Sequence, residues 1–497
     1  RILSFPFGFI TILSLFATFL VVNLVEWVKM TCGNVSFSII LLQLTSPIKG
    51  TDSGIINSII KTAVVPPVLL AVAAVLCYLF IVRGMYALED LPVKKIPRWS
   101  KICIEVVMVV FFLHTVQVQG TEIGMWDYIQ SVRESSDFYE KEYVNPAKVK
   151  MTFPKEKKNL IYIFMESMES SYADKEDGGT MDDNYIPNLT KLARENVQFT
   201  DKKDGKVGGP VCLEATAYTA GGLVAQTSAI NLKVMTSGAV SDSFLPNLTA
   251  LGDILNKQGY NQMFLCGSDG DFAGRDAYFK THKDYQIEDY KAAIKEGDIP
   301  KDYKVYWGHE DKVLYERAKK NLKKLSKEGK PFNLTMLTVD THFPNGYICD
   351  LCENKYDTTY GNAVACADRQ VYDFVQWIKK QDFYEDTTII IAGDHTSMVD
   401  TGSKFWKSLS NDYQRTVYNA IINPQCAYKK KVTTKRKFST MDMFPTTLAA
   451  LGVEIDGNKL GLGTNLFSGE ETLREELGAN YINKELKRND KMYNQFY

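Results

Sequence analysis

Asn159–Met165 reads NLIYIFM and Thr388–Ala392 reads TIIIA, and both runs are rich in apolar branched or aromatic residues. Short runs of this composition are typical of strands buried on both faces of a sheet. Gln262–Leu265 and Asn333–Val339 are further candidate strands. Helical patterns lie between the strands, over Ile186–Asn196, Leu245–Lys257, Asp311–Glu328 and Tyr360–Lys380. The alternation predicts an α/β domain with a mostly parallel central sheet and helices on both faces.

The chain before this domain has the composition of a membrane anchor. Ile2–Val25 is an uncharged run of 24 residues, long enough to cross the ~30 Å apolar core of a bilayer. Thr62–Val82 is a second uncharged run, and its Pro66-Pro67 pair predicts a kink. Ile102–Val118 is a third candidate span, although a buried soluble helix is the alternative because the run contains Glu105 and His114.

Charge predicts how these spans are oriented. Residues 1–119 carry nine Lys/Arg and five Asp/Glu, whereas the formal charge of the whole 497-residue chain is −1. The loop between the second and third runs holds five of those basic residues, so the positive-inside rule places residues 83–101 in the cytoplasm and everything after about Gln119 outside. The near-neutral total gives no support to nucleic-acid binding. Hydrophobic residues at 45% and charged residues at 24% exclude a disordered chain.

We therefore expect four segments: an anchor of about three helices over residues 1–119, a juxtamembrane linker over 120–154, an outer domain over 155–467 and a helical tail over 468–497. Six of the nine cysteines lie in the outer part, and an even number there allows disulfides. Cys349 and Cys352 have the spacing of half a zinc site, but no second pair follows at zinc spacing, which favours a disulfide or free thiols.

Two of the predicted strands end in residues that bind metals. Glu166 follows NLIYIFM directly, and Asp394-His395 follows TIIIAG. Ligands of open α/β sheets gather at the carboxyl ends of the strands. Two carboxylates and an imidazole suit a divalent cation such as Mn²⁺, Mg²⁺ or Zn²⁺. The alternatives are that Glu166 caps a helix and that the Asp-His pair lies in a surface turn.

A threonine-containing loop that feeds a small-residue helix is the candidate nucleophile. Gly208–Gly222 contains Thr216 and Thr219. A hydroxyl at a helix N-terminus faces unpaired backbone N–H groups that favour an anion, and a nearby metal would lower its pKa. Thr216 is the first choice and Thr219 the second, while an ordinary N-cap threonine is the alternative.

Five ordered segments resemble the lipoteichoic acid synthase and membrane phosphoglycerol transferase group of the alkaline phosphatase/sulfatase superfamily. They are NLIYIFMES (159–167), ATAYTAGGLVAQTSAI (215–230), FAGRDAYFKTH (272–282), TVDTHFP (338–344) and IIIAGDHTSM (389–398). The resemblance implies a sulfatase-like fold and one divalent ion, Mn²⁺ first, held by Glu166, Thr216, Asp394 and His395, with Thr216 also the nucleophile. Arg275 and His342 would contact glycerol phosphate.

The function that the resemblance implies is transfer of glycerol phosphate from a phosphatidylglycerol-type lipid to a glycan or teichoic-acid-like acceptor, through a phospho-threonine intermediate. The enzyme would lie in a bacterial cell membrane as a multi-pass protein with an extracellular catalytic domain. The alternatives are a phosphoethanolamine transferase, a phosphodiester hydrolase, or a metal-binding envelope pseudoenzyme without activity. A sulfatase is disfavoured because no Cys/Ser-x-Pro-x-Arg motif is present.

The chain departs from that group in two ways. The synthases usually have five spans, whereas three are visible here. Their tryptophan near the matched arginine is replaced by Phe272-Ala273. Trp307-Gly308-His309-Glu310 is a further candidate wall of the site. These departures concern the acceptor and polymerising ability more than the chemistry.

Overall fold

The computed structural model describes residues 5–32, 37–45, 53–87, 98–203, 205–233, 243–283 and 285–497. It divides into two compact units, the first built mostly from residues up to Gln130 and the second holding Ser131–Tyr497.

The described residues of the N-terminal part are helical and include three helices long and apolar enough to span a membrane, over Phe9–Met30, Ile56–Cys77 and Ile102–Glu122. A π-helical turn at Ile60–Val64 lies just before Pro66-Pro67, so the helix is irregular near the predicted kink. The helices are α1 (Phe5–Cys32), α2 (Phe37–Thr45), α3 (Ser53–Ile59), α4 (Val65–Ala87), α5 (Arg98–Glu122) and α6 (Met125–Arg133). Residues 88–97 of the basic loop lie outside the described residues, so the orientation stays a prediction.

The second unit is built on a six-stranded sheet, counted over the described residues. Its strands are β3 (Asn159–Met165), β4 (Asn261–Cys266), β5 (Gln286–Glu288), β6 (Phe332–Leu337), β7 (Thr387–Gly393) and β8 (Asn419–Ile422). They lie in the order β5-β4-β6-β3-β7-β8. All neighbours are parallel except the edge pair β7 and β8, which is antiparallel. This is the mostly parallel α/β sheet that the sequence predicts.

Helices cover both faces of this sheet. Ile161, Ile163 and Met165 of β3 belong to the main buried core, which also receives apolar side chains from three helices. Tyr162 points to the opposite face, where its hydroxyl donates to Gln226. The helices of the unit are α7 (Phe138–Glu142), α8 (Pro187–Glu195), α9 (Thr219–Ser228), α10 (Leu251–Lys257), α11 (Arg275–Thr281), α12 (Tyr290–Glu296), α13 (Asp311–Leu325), α14 (Thr359–Ile378), α15 (Met443–Ala450), α16 (Leu473–Leu477) and α17 (Ala479–Lys487).

The segments before and after the sheet pair with each other. The expected linker supplies β1 (Ser135–Ser136), which lies parallel to β12 (Asn489–Asp490) of the tail. The ring of Tyr139 packs on Tyr493 with centroids 5.2 Å apart. The remaining short strands are β2 (Met151–Thr152), β9 (Glu454–Ile455), β10 (Lys459–Leu460) and β11 (Gly463–Thr464).

Three cysteines meet beside α14. Cys352 and Cys366 form a disulfide, a pairing that the Cys349-x-x-Cys352 spacing does not predict. The Sγ atom of Cys349 lies 3.6 Å from that of Cys352.

Candidate active site

The predicted metal ligands converge because their strands are neighbours in register. Met165, the last residue of β3, lies opposite Gly393, the last residue of β7. Glu166, Asp394 and His395 follow directly, and each offers a ligand atom within 4.8 Å of the others. The Nε2 atom of His395 lies 3.3 Å from Oε1 of Glu166 and 3.5 Å from Oδ2 of Asp394. All three side chains are buried.

The turn after β3 holds these ligands in place. Ser167 has a positive φ of 52°, a conformation that is uncommon for a residue with a side chain. Its backbone N–H donates to Oδ1 of Asp394 at 2.8 Å, and its hydroxyl donates to Oε1 of Glu166 at 2.8 Å. When the His395 ring is neutral, its Nδ1 donates to the carbonyl of Thr396 at 2.8 Å, and the lone pair of Nε2 can then bind a metal.

The three groups perturb one another strongly. Burial and the charge of Glu166 raise the pKa of Asp394 to about 8. Burial would lower the pKa of His395, but the charges of Asp394 and Glu166 outweigh it and raise the pKa to about 10. Burial likewise opposes the shift of Glu166, whose pKa is lowered by His395 and His342. Perturbation of this kind is typical of functional sites.

These residues fit a divalent cation. Among the described residues, Oδ2 of Asp394 is buried and has no hydrogen-bond partner. A buried carboxylate oxygen without a partner is costly, and a cation would supply the missing interaction. The donor set is two carboxylates and one imidazole, as the sequence predicts, and it is compatible with Mn²⁺, Mg²⁺ or Zn²⁺.

The structure brings Thr219, and not Thr216, to this cluster. The Oγ1 atom of Thr219 lies 3.1 Å from Oε2 of Glu166 and 3.3 Å from Nε2 of His395. The hydroxyl of Thr216 instead accepts from the backbone N–H of Leu213 at 2.9 Å and donates to its carbonyl at 3.0 Å. Thr216 is fully buried, whereas Thr219 is partly exposed. The expectation that Thr216 joins the ligands is corrected by this geometry.

The start of α9 explains the difference. Thr219 is the first residue of the helix, so it occupies the helix N-terminus at which the sequence predicts Thr216. Thr216 lies in the preceding turn, next to Ala215 with its positive φ of 57°. At Gly222 an added Cβ would lie 2.2 Å from the carbonyl oxygen of Asp394, so glycine allows α9 to pack directly on the ligand loop. Gln226 donates to the carbonyl of Gly393 at 2.9 Å from the same helix.

His342 lies near the cluster, and Arg275 interacts with His342. Burial lowers the pKa of His342, the charges of His395 and Arg275 lower it further, and Glu166 opposes them. Arg275 is only 6% exposed, and its guanidinium donates to the hydroxyl of Ser268 at 2.9 Å and to the carbonyls of Asp269 and Phe272. These bonds hold the Arg275 guanidinium against the loop that follows β4.

An aromatic wall connects these two residues. The ring of Phe272 lies 5.5 Å from the guanidinium carbon of Arg275 and 5.2 Å from the ring of Trp307. Trp307 in turn lies 4.7 Å from the ring of His342. Glu310 of the same candidate wall is instead hydrogen-bonded to Tyr303.

Sequence reasoning missed the role of Ser167 in holding Glu166 and Asp394. The only sequence signal for this role was the position of Ser167 directly after Glu166.

A family model and curated proteins match the sequence of this chain. The Sulfatase family model matches residues 158–453. Phosphoglycerol transferase I of Salmonella choleraesuis (strain SC-B67) and that of Shigella flexneri are each 33% identical over 340 residues, covering 66% of this chain and 41% of the relative. The chain thus spans about two fifths of the length of these curated relatives.

Two solved structures share the fold. The lipoteichoic acid synthase LtaP from Listeria monocytogenes has a TM-score of 0.51 at 19% identity, covering 64% of this chain and 79% of LtaP. The integral membrane lipooligosaccharide phosphoethanolamine transferase A from Neisseria meningitidis has a TM-score of 0.52 at 14% identity, covering 88% of this chain and 83% of that protein. The family model spans more than half of the chain, so this chain belongs to the sulfatase family.

Proposed function

We propose that the chain is a membrane-anchored phosphoglycerol transferase in which Thr219 is the nucleophile. The observation that carries the proposal is the contact of the Thr219 hydroxyl with Glu166 and His395. The curated relatives named phosphoglycerol transferase support the reaction class. The donor is a phosphatidylglycerol-type lipid, and the acceptor is a hydroxyl of a cell-envelope glycan or teichoic-acid-like polymer.

The reaction has two displacements at phosphorus. In the first, Oγ1 of Thr219 bonds to the phosphorus of the headgroup, the bond from phosphorus to the diacylglycerol oxygen breaks, and that oxygen receives a proton. In the second, an acceptor hydroxyl loses its proton and attacks the phospho-threonine, which restores the Thr219 hydroxyl. The glycerol phosphate is conserved in both steps, so no oxidant or further co-reactant is needed.

The residues around Thr219 have separate roles in this proposal. One divalent cation, with Mn²⁺ as the first choice, would be held by Glu166, Asp394, His395 and Thr219. It would lower the pKa of the Thr219 hydroxyl and neutralise charge at the phosphoryl group. Thr219 replaces Thr216 both as a ligand and as the nucleophile. Arg275 and His342 would bind the glycerol phosphate, and an arginine suits phosphate because its planar fork can contact two oxygens.

The three apolar helices of the N-terminal part are consistent with a donor substrate that resides in the membrane. Three membrane-spanning helices would keep the covalently attached domain at the membrane surface, which raises the effective concentration of the lipid. We propose the topology predicted from the basic loop, a multi-pass bacterial membrane protein with the catalytic domain extracellular.

The test is diacylglycerol release from phosphatidylglycerol by the purified full chain with Mn²⁺. Thr219→Ala should reduce release to background, and Thr219→Ser should retain part of it because the hydroxyl survives. Thr216→Val is the matched control. It removes a buried hydroxyl bonded to Leu213, so it should cost about 1–3 kcal/mol of stability while turnover of the folded fraction persists.

Two results would contradict the proposal. Full activity of Thr219→Ala would remove the covalent mechanism. A glycerophosphate adduct located by fragment spectra on Thr216 rather than on Thr219 would make Thr216 the nucleophile. Parallel vesicles of phosphatidylethanolamine distinguish the headgroups, since a phosphoethanolamine transferase would release diacylglycerol from these vesicles instead.

A further inference from the structure

The geometry points to Glu169 and Arg415 as positioning residues that lock the two ligand-bearing loops together. The inference goes beyond the proposed transferase activity and rests on the metal site of that proposal. One loop follows β3 and carries Glu166, and the other follows β7 and carries Asp394 and His395. Neither Glu169 nor Arg415 is among the ligands or the substrate-binding residues described above.

Glu169 connects the first loop to the second through both of its oxygens. Its Oε1 accepts from the backbone N–H of Ser397 at 2.8 Å and also from Nη2 of Arg415. Its Oε2 accepts from Nε of Arg415 at 3.0 Å. The same Nη2 donates to the carbonyl of Ser397 at 2.7 Å. Both polar backbone groups of Ser397, two residues after His395, are therefore held by one ion pair.

A chain of hydroxyl groups makes a second connection between the same loops. The Tyr172 hydroxyl donates to the carbonyl of Ser167 at 2.9 Å, and it lies 3.0 Å from the hydroxyl of Tyr360. The Tyr360 hydroxyl lies 2.8 Å from Oγ of Ser397. The two connections end on residues adjacent to the ligands, Ser167 beside Glu166 and Ser397 close to His395. A shift of either loop would therefore have to break several buried hydrogen bonds at once.

The environment of the pair favours one fixed geometry. Glu169 is fully buried. The guanidinium carbon of Arg415 lies 4.4 Å from the ring centroid of Trp406, a stacking arrangement that fixes its plane. Neutralising Glu169 would leave a largely buried arginine without its counter-charge, and the arginine would pull away from Ser397 toward water. Mutation of residues that hydrogen-bond to metal ligands typically lowers metal affinity about 10- to 100-fold.

Mn²⁺ binding to the purified full chain tests this inference, measured by isothermal titration calorimetry at one pH. Glu169→Gln should weaken Mn²⁺ binding about tenfold or more. The matched control is Glu288→Gln, which neutralises an equally buried partner of an arginine, since Glu288 and Arg317 lie 2.6 Å apart with side chains 3% and 2% exposed. That pair joins β5 to α13 and bonds to neither ligand loop, so Mn²⁺ affinity should stay within about twofold.

The metal-free melting temperature, recorded for the same variants, separates positioning from general stability. We expect both variants to lose stability and only Glu169→Gln to lose Mn²⁺ affinity. Equal losses of affinity in the two variants, or wild-type affinity in Glu169→Gln, would overturn the inference. If Glu169→Gln does not fold, Arg415→Lys keeps the positive charge but loses the two-point contact with Glu169 and the bond to Ser397. This variant should still weaken Mn²⁺ binding, and unchanged binding in it would overturn the inference. A wild-type chain that binds Mn²⁺ without transferring glycerol phosphate would refute the proposed function alone.

Discussion

Asp311 and Asp340 are two buried carboxyl groups close to the loop that carries His342. The backbone N–H of Asp311 donates to Oδ1 of Asp340 at 3.2 Å, and Oδ1 of Asp311 accepts from the backbone N–H of Val339 at 2.7 Å. Burial, with the charge of Glu166 adding to it, raises the pKa of Asp311 to about 7. Burial and the charge of Asp311 raise the pKa of Asp340 well above its usual value. The pair therefore holds at least one proton near neutral pH.

This pair predicts that stability falls as pH rises. Both pKa values are higher in the folded state than in an unfolded chain, so the folded state binds more protons. The free energy of unfolding therefore falls as pH rises above the unfolded-state pKa and through about 7. Asp340→Asn removes one titrating group and the mutual repulsion. The free energy of unfolding of this variant relative to wild type should therefore increase by roughly 2 kcal/mol between pH 5 and pH 8. Its melting temperature should rise relative to that of wild type over the same range. A constant difference across that pH range, measured by thermal unfolding of the two proteins, would contradict the prediction.

At the level of elements, the site depends on how closely α9 packs on the loop after β7. Gly222 is the point of closest approach, because an added Cβ would meet the carbonyl oxygen of Asp394 at 2.2 Å. Gln226 fixes the rotation of the same helix through its bonds to Gly393 and Tyr162. The position of Thr219 is therefore a consequence of helix packing as much as of its own contacts.

Gly222→Ala should displace α9 and with it Thr219. Because a shift of about 1 Å can cost about 100-fold in rate, we expect diacylglycerol release to fall by at least about tenfold while the domain still folds. Gly402→Ala is the control, because a Cβ added at Gly402 would meet only side-chain atoms of Asp400, at 3.4 Å or more. Comparable activity of Gly222→Ala and wild type would show that α9 tolerates the extra methyl group without moving the nucleophile.

At the level of the whole molecule, the chain joins a helical unit to a sulfatase-family domain. Three long apolar helices among the described residues support a membrane protein. Within the second unit, the tail helps to hold the segment after α9: the hydroxyl of Tyr493 donates to the carbonyl of Asn231 at 3.1 Å, and Tyr139 donates to the Asn231 side chain at 2.6 Å. Residues far apart in sequence thus hold the segment that follows α9.

The predicted topology can be checked with a membrane-impermeant maleimide on intact cells. A cysteine introduced by Lys94→Cys should be protected, because the basic loop is expected in the cytoplasm. A cysteine introduced by Lys301→Cys, on an exposed part of the outer domain, should be labelled. The unsubstituted chain measures the background from native cysteines. Labelling at position 94 together with protection at position 301 would reverse the orientation and place the active site in the cytoplasm.

Several features of the protein follow from local sequence alone. The runs NLIYIFM and TIIIA are so apolar that only buried strands accommodate them, and the structure has strands at Asn159–Met165 and Thr387–Gly393. Parallel strands bring their carboxyl ends to one edge of the sheet, so the sequence predicts Glu166, Asp394 and His395 at that edge. Their direct contact depends on the pairing of β3 with β7. The apolar runs near the N-terminus likewise predicted three helices of spanning length.

The choice between Thr216 and Thr219 required the tertiary structure. Both threonines lie in the same four-residue stretch, and local sequence does not say where the helix begins. The fold starts α9 at Thr219 and directs the Thr216 hydroxyl to Leu213. The loop-to-loop connection through Glu169 and Arg415 also joins residues 246 positions apart. Hydrophobic pattern and chain order determine which strands form, but the direction of a single hydroxyl depends on contacts from distant parts of the chain, which only packing creates.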